Sequence, residues 1–312
     1  MNRLYLCAIS IFASSALLCT LACETDFAPA SRVEGPRLLA LAADPVFARP
    51  GEEVMLDMLV VGAGADALQW AVGYCTLPSD STTSTCLEQL DAPLTLLLGS
   101  QLPPLQVPEG LLTNLPTEQR PSAFIGVVVV GCPGELTPGE TGPVPLRCLD
   151  ESGLEMGFPD LQVGVKRVYL RTEDRNLNPQ IRAVFWDNAN FSADQEPSAQ
   201  VCRADVYDIA ECPKALRHRI DLEVDAPEQG LDELGAAFEE QVIVQYYTEQ
   251  GLFRDDVRLQ DEPDNRWVGF LGPNRSLNTA TTATTPRARI WLIVRDDRGG
   301  VSWTQRSIAL VP

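Results

Sequence analysis

The segment from Ala288 to Trp303 reads ARIWLIVRDDRGGVSW. Every second residue in its first part is apolar: Ala288, Ile290, Leu292 and Val294. A period of two places these side chains on one face of a β-strand, because successive residues of a strand point to opposite faces. The charged turn that follows ends in Gly299-Gly300, and Val301 begins a second apolar stretch. The segment therefore predicts two antiparallel strands joined by a short turn, with one face of the first strand buried.

The second of these strands shows a change of phase. Its apolar residues lie at odd positions in Val301 and Trp303, but at even positions in Ile308 and Leu310. A regular strand would place the two pairs on opposite faces. A β-bulge inserts one extra residue and returns both pairs to one face, so we expect a bulge between Trp303 and Ile308.

Similar alternation recurs along most of the chain. The apolar stretches between Gly-containing and Pro-containing turns are Leu38–Leu41, Val54–Val60, Leu68–Tyr74, Phe124–Val130, Leu161–Val165, Ile181–Trp186, Ile220–Val224 and Val242–Tyr246. Two segments are expected to be helical, a turn near Glu109–Leu115 and a short helix over Asp232–Glu240. Because strand patterns dominate, the sequence predicts an all-β fold.

The chain contains an internal repeat. Pro36–Leu41 matches Pro179–Val184, and similar strands follow each of these segments in the same order. Two mostly-strand units in tandem indicate two antiparallel β-sandwiches. We expect one sandwich over residues 36–171 and the other over residues 179–312, with residues 172–178 as a polar linker.

Two motifs resemble those of a known class of module. Ile290–Gly300 resembles the strand–DxxGG–strand ending of bacterial immunoglobulin-like (Ig-like) and PKD-like extracellular modules. Pro36–Leu41, together with Arg49–Val54, resembles the first two strands of such modules in bacterial surface lipoproteins. The resemblance implies two Ig-like sandwiches and a role as scaffold, spacer or adhesive unit. It supplies no catalytic residue.

The N-terminus has the features of a secretory signal. Arg3 is the only charged side chain before Glu24, and residues 4–22 form an uncharged run. Its end, Thr20-Leu21-Ala22-Cys23, resembles the lipobox of bacterial lipoproteins. The resemblance implies a signal peptide over 1–22, a lipid on Cys23, an extended tether over 23–35 and an envelope location, with the outer membrane favoured. An ordinary cleaved signal and an uncleaved membrane helix are the alternatives.

Cysteine counting supports the lipoprotein interpretation. The chain has nine cysteines, and Cys7 and Cys19 lie inside the signal. The other seven are an odd number, which lipid attachment to Cys23 explains. Six cysteines allow many pairings, and we favour the local ones because each pair lies in one loop region. These pairs are Cys75–Cys86, Cys132–Cys148 and Cys202–Cys212. Zinc ligation is disfavoured because no CxxC or CxxH spacing is present.

The charge of the chain excludes one class of partner. The sequence carries 43 acidic side chains against 24 Lys and Arg, for a net charge of −19. Such a chain repels phosphate backbones, so nucleic acid is not expected as a partner. No cofactor is expected, since the sequence has no phosphate-binding loop or metal-binding motif.

Four features are weak candidates for a functional site. His218 is expected to be an exposed polar residue at a strand edge. The acidic residues between Asp255 and Asn265 offer oxygen ligands for calcium, although a solvated loop is favoured. Residues 173–178 offer a second calcium candidate. Trp291 is out of phase with its neighbours and either stacks on a sugar or packs under the insertion around Cys202; we favour the packing.

These observations favour a non-enzymatic structural or protein-interaction role at the bacterial envelope, with the membrane as a partner through Cys23 and an envelope protein or glycan as a further partner. A glycan-binding or calcium-binding surface module is the alternative, and exposure of Trp267 or Trp291 would favour it. A hydrolase is the third interpretation and requires a cleft with converging carboxylates or a serine near His218. No catalytic or metal-binding residue is assigned.

Overall fold

A computed structural model describes residues 30–77, 86, 90, 94–97, 99–139, 146–157, 160–202, 208–232, 235–270 and 286–311. Ser31–Pro312 form one compact unit. The signal peptide and Cys23 lie outside the described residues. None of the helices in the described part of the chain is long and apolar enough to cross a membrane.

The described residues of the first half of the compact unit contain ten strands. They are β1 Arg37–Asp44, β2 Phe47–Ala48, β3 Glu53–Val61, β4 Gln69–Leu77, β5 Thr95–Leu96, β6 Leu105–Gln106, β7 Phe124–Cys132, β8 Glu135–Pro138, β9 Leu146–Leu149 and β10 Gln162–Leu170. Short 3-10 helices occupy Ala65–Ala67 and Thr117–Ser122. The predicted helical turn at Glu109–Leu115 is a series of hydrogen-bonded turns, in which Asn114 N–H donates to the Gly110 carbonyl.

In the second half, twelve strands lie within the described ranges. They are β11 Ile181–Trp186, β12 Ala189–Asn190, β13 Ser198–Gln200, β14 His218–Val224, β15 Gln229–Leu231, β16 Ala237–Glu239, β17 Val242–Thr248, β18 Leu252–Phe253, β19 Val257–Leu259, β20 Asn265–Val268, β21 Arg287–Asp296 and β22 Val301–Val311. Short 3-10 helices occupy Ile209–Glu211 and Lys214–Leu216. The described part of the chain is therefore mostly β, as the alternation predicts.

The two halves share one strand topology. The main sheets of the first half have the orders β1-β3-β6 and β2-β10-β7-β4-β5, and those of the second half have the orders β12-β11-β14-β20-β18 and β13-β22-β21-β17-β19. In each half the last long strand pairs antiparallel with the preceding long strand, β7 or β21, and parallel with a short strand nearer the start, β2 or β13. The internal repeat in the sequence is therefore visible in the fold.

The repeat extends to an irregularity in the first strand of each half. The pairing of β1 with β3 shifts register between Leu38 and Ala40, and the pairing of β11 with β14 shifts between Ile181 and Ala183. These are matching positions of the repeat. The extra residue redirects the strand at the same point in both halves.

Each half encloses its own apolar core. Side chains from both main sheets of the first half meet around Trp70, which is 1% exposed. Those of the second half meet around Trp267, which is 0% exposed. The burial of β3 alternates from Glu53 to Met58, so the period of two follows directly from one buried face.

One predicted helix is wrong. Within Asp232–Glu240, β16 pairs with β15 in an antiparallel hairpin. The Asp232 carboxylate accepts a hydrogen bond from Ala236 N–H, and Gly235 has a φ of 79°, which L-residues rarely adopt. The turn chemistry of Asp and Gly therefore overrides the helix propensity of the neighbouring Leu, Ala and Glu residues.

Candidate functional site

A third apolar cluster joins the two halves, and we call it the junction core. Its buried members are Val33, Leu39, Ala40, Val61, Trp291, Ile293 and Val301. Half-buried Ala42, Leu59, Tyr247 and Trp303 pack against it. The outer face of β1 and β3 therefore packs on the outer face of β21 and β22, so these strands are covered on both faces.

The junction core accounts for the change of phase in β22. Its pairing with β21 runs without a register shift from Val301 to Ala309, so the predicted bulge is wrong. Val301 and Trp303 contact the junction core, whereas Ile308 and Leu310 lie in the core of the second half. A regular strand that serves two cores on opposite faces needs apolar residues of both parities.

Trp291 lies at the centre of this contact. Its side chain is 1% exposed, and its indole N–H donates to Gln305 Oε1 at 3.0 Å. The prediction that it packs under the insertion around Cys202 is wrong, because the first half covers it instead. Trp267 is also fully buried, so neither tryptophan is free to stack on a sugar.

Polar contacts surround the junction core. Asn178 Nδ2 donates to the Ala43 carbonyl at 2.9 Å, and Asn178 Oδ1 accepts from Val301 N–H at 2.8 Å. Arg295 Nη2 donates to the Leu39 carbonyl at 2.7 Å. Lys166 Nζ donates to the Gly299 carbonyl. Each of these bonds joins residues more than 100 positions apart in the sequence, so they tie the two halves together.

Burial strongly perturbs Lys166. It lowers the pKa of the ammonium to about 8, with a further contribution from the nearby Arg295 charge and a partial offset from Asp296. A buried ammonium loses hydration, and one carbonyl acceptor replaces only part of it. Lys166 therefore contacts the turn of the DxxGG motif, and its burial there destabilises the charged form of the side chain.

The DxxGG turn is shaped by internal hydrogen bonds. Asp296 is buried and accepts from Gly300 N–H at 2.6 Å and from Asn176 Nδ2 at 3.4 Å. A side chain at Gly300 would overlap the Asp296 carboxylate. The Asp and the last Gly of the motif are therefore explained by turn geometry.

An ion-pair cluster lies beside this turn. Arg298 contacts Asp174 at 2.7 Å, Glu228 at 3.4 Å and Glu240 at 3.5 Å. Burial raises the pKa of Glu240, and a hydrogen bond from Glu228 N–H opposes this shift. Three carboxylates around one guanidinium fix the linker against the second half.

Residues 173–178, the second calcium candidate, are therefore occupied by protein contacts. Asp174 pairs with Arg298, and Asn176 and Asn178 are hydrogen-bonded across the junction. Within the described ranges, no group of three or more His, Cys, Asp or Glu side chains is arranged to hold a metal ion. The geometry at this linker fits a structural joint.

His218 is not the exposed residue that its position at a strand edge predicts. Its side chain is 15% exposed and stacks on Trp186, with ring centroids 4.3 Å apart. Nδ1 lies 2.8 Å from the Asp187 carboxylate, which also accepts from Arg219 N–H at 2.8 Å. Nε2 is buried without a hydrogen-bond partner among the described residues. Adjacent β11 covers the ring, and the sequence alone does not place that strand.

The acidic stretch from Asp255 to Asn265 is interleaved with arginines. Arg258 lies 3.2 Å from the Asp255 carboxylate and 3.4 Å from that of Glu262. Asn265 Nδ2 donates to the Asp255 carbonyl at 2.6 Å. Ion pairing and loop closure therefore account for these polar groups.

The three disulfides follow the local pairing. They are Cys75–Cys86, Cys132–Cys148 and Cys202–Cys212. All six cysteines are buried. Cys75 lies in β4, Cys132 in β7 and Cys148 in β9, so the first two bridges involve sheet strands.

No protein-family model matches the chain, and no curated protein matches it. Among solved structures, it is similar to the Protocadherin GammaB4 extracellular domain, at 13% identity and a TM-score of 0.22, over 89% of this chain and 34% of that one. It is similar to dimeric latent PorU from Porphyromonas gingivalis at 11% identity and a TM-score of 0.19, over 90% and 24%. It is similar to Drosophila N-cadherin EC1-4 at 8% identity and a TM-score of 0.20, over 90% and 50%.

The chain thus spans half or less of the length of each of these proteins. The strand order and the apolar cores of this chain define its mostly-β fold.

Proposed function

We propose that the chain is a lipid-anchored protein of the bacterial cell envelope with a structural or protein-interaction role and no enzymatic activity. In this proposal Cys23 carries the lipid, and two tandem Ig-like sandwiches over 36–171 and 179–312 form one rigid body. The outer membrane is the proposed membrane, on its periplasmic or surface face. An envelope protein or glycan is the proposed further partner.

The observation that carries the proposal is the junction core. Two domains that move independently bury little apolar surface against each other. Here Trp291 and Ile293 of the second half are buried against the first half. Linker residues Asp174, Asn176 and Asn178 are bonded into the joint. A body held in this way keeps a fixed distance and orientation between its ends, which suits a spacer or a platform for a partner.

The segment after the proposed anchor supports the same interpretation. Thr248 N–H donates to the Ser31 carbonyl, and Val33 N–H donates to the Thr248 carbonyl, both at 2.9 Å. Val33 is buried in the junction core. The end of the tether is therefore fixed to the second half, and only the seven residues Glu24–Ala30 separate it from Cys23.

Lipid attachment is tested by intact mass and membrane fractionation of the exported protein. Wild type is expected in the membrane fraction with the mass of a lipid-modified chain that begins at Cys23. Cys23→Ala is expected to lose that mass, whereas Cys19→Ala, a matched change inside the signal, is expected to retain it. An unmodified wild-type chain in the aqueous fraction would contradict the proposal.

A further inference from the structure

A cationic pocket lies on the second half, and none of its lining residues belongs to the junction core. Its cavity of about 390 Å³ is lined by Ile209, Lys214, Arg217, Arg254 and Arg266. Four cationic side chains thus converge in a chain that has 43 acidic residues and only 24 Lys and Arg. The charge of this cluster is therefore opposite in sign to the net charge of the chain.

Arg217 is held in place by neutral acceptors. Its Nε donates to the Cys212 carbonyl at 2.9 Å, and its Nη2 donates to the carbonyls of Ala210 and Cys212 at 2.8 and 2.7 Å. The Cys202–Cys212 disulfide fixes that backbone. Carbonyls orient the guanidinium but leave its charge uncompensated, and Nη1 bonds to no described residue.

Two further cations have no counter-ion among the described residues. Lys214 is exposed and Arg266 is half-buried, and neither side chain makes a hydrogen bond or ion pair within that part of the chain. Arg254 is partly neutralised, since its Nε lies 2.8 Å from the Asp255 carboxylate. Three largely uncompensated positive charges therefore face one cavity.

Donors without acceptors select an oxyanion. Guanidinium groups match the oxygens of phosphate in a bidentate geometry, and a lysine adds a mobile point charge. A cavity of about 390 Å³ accommodates a phosphate group with part of the molecule that carries it. Apolar Ile209 at its wall suits that attached portion.

The pocket lies close to the fixed end of the tether. Ile209 packs in one apolar cluster with Phe270, and the Arg32 guanidinium lies over the Phe270 ring at 5.3 Å. Seven residues, Glu24–Ala30, reach at most about 25 Å when fully extended. If Cys23 carries a lipid, as proposed above, the pocket is held near the headgroups of that membrane.

We propose that this pocket binds a phosphate-type oxyanion, presented by an anionic lipid headgroup or by a soluble phosphate compound. The lipid source rests on the proposed anchoring, whereas the oxyanion site itself does not. The main test therefore uses the mature chain with Cys23→Ser, exported behind an ordinary cleavable signal. Because this variant carries no lipid, its phosphate binding can be measured whether or not the wild-type chain is lipid-anchored. Failure of one proposal is therefore distinguishable from failure of the other.

The probes are inorganic phosphate, followed by calorimetry, and vesicles of phosphatidylglycerol or phosphatidylcholine, followed by co-sedimentation. The test variant is Lys214→Gln with Arg266→Gln, because neither side chain stabilises the described fold through a partner. The control is Arg147→Gln with Arg287→Gln, two exposed arginines outside the pocket that pair with Glu155 and Glu196. Both variants change the net charge equally.

Saturable phosphate binding that weakens about tenfold in the test variant and not in the control supports the proposal. The same loss on phosphatidylglycerol vesicles assigns the headgroup as the source, and unchanged weak vesicle binding assigns a soluble compound. Absence of phosphate binding, or equal weakening in both variants, overturns the proposal.

Discussion

Lys166 illustrates how one buried charge joins two regions that the sequence does not bring together. It is one of two lysines, and it reaches from β10 to the Gly299 carbonyl in the DxxGG turn. The alternating pattern predicts strand β10 but marks Lys166 as a solvent-facing residue. Its burial depends on the second half packing beside the first, which no local pattern encodes.

The pKa of Lys166 predicts how stability changes with pH. The folded value is about 8 and the ordinary value is 10.5, so the folded state binds fewer protons than the unfolded state between these pH values. The penalty for charging the buried ammonium is therefore full below pH 8 and disappears as the pH rises toward 10.5. It amounts to roughly 3 kcal/mol.

Lys166→Met removes this penalty. Relative to the variant, wild type is expected to gain stability from pH 8 to pH 10, as measured by urea unfolding at each pH. Lys214→Met, the same change at an exposed lysine, is expected to leave the pH profile unchanged. Parallel profiles for wild type and Lys166→Met would contradict this assignment.

Trp291 is the largest buried side chain of the junction core. Its phase in β21 correctly predicts that it points away from the core of the second half, but not what covers it. Trp291→Ala is expected to lower the free energy of unfolding by about 3–5 kcal/mol, because it leaves a cavity in the junction core. Met55→Ala, at a side chain that is 56% exposed, is the control and is expected to have little effect.

At the scale of elements, strands are the most predictable feature of this chain. Their period of two arises from one buried face, and it holds from Glu53 to Met58 of β3. It fails where both faces are buried: β7 is buried throughout, and β22 carries apolar residues of both parities. The bulge expected in β22 is wrong for this reason, since coverage by the other half is invisible in a single strand.

The segments that connect the strands are predictable in their disulfides but not in the side chains that they bring together. Cysteine spacing predicts the local disulfides, because a loop closes most readily on itself. The cationic pocket cannot be predicted from the sequence, since Arg217, Arg254 and Arg266 come from three separate segments. A cluster of like charge formed across segments leaves no motif.

The Cys202–Cys212 bridge connects a local disulfide with the cationic pocket, because the Cys212 carbonyl orients Arg217. Replacing both cysteines with serine is expected to cost about 3 kcal/mol of stability, since the bridge closes a short loop. The same change releases the Cys212 carbonyl that orients Arg217, so phosphate binding is expected to weaken as well. Replacing Cys132 and Cys148 is the control.

That control is expected to lower stability by a similar amount and to leave phosphate binding unchanged, because its bridge lies in the first half. Urea unfolding and calorimetry give the two readings. Equal effects of the two double variants on binding would show that Arg217 needs no support from its own bridge.

For the whole molecule, the repeat predicts two similar halves but not their union. The sequence predicts a linker that separates two sandwiches, yet linker residue Asn178 bonds to Ala43 and linker residue Asp174 pairs with Arg298, beside the junction core. The Arg295–Leu39 hydrogen bond joins residues 256 positions apart. Contacts at such separations depend on the docking of complete halves, and therefore cannot be inferred from composition or periodicity.

We propose that the two halves form one rigid body and that this body does not require calcium. The most direct measurement is the distance between spin labels at Glu53 on β3 and Leu259 on β19, two exposed positions in different halves, by double electron–electron resonance. We expect a single narrow distribution that EGTA does not change and that Trp291→Ala broadens. A broad or multimodal wild-type distribution, or one that shifts on chelation, would contradict the claim.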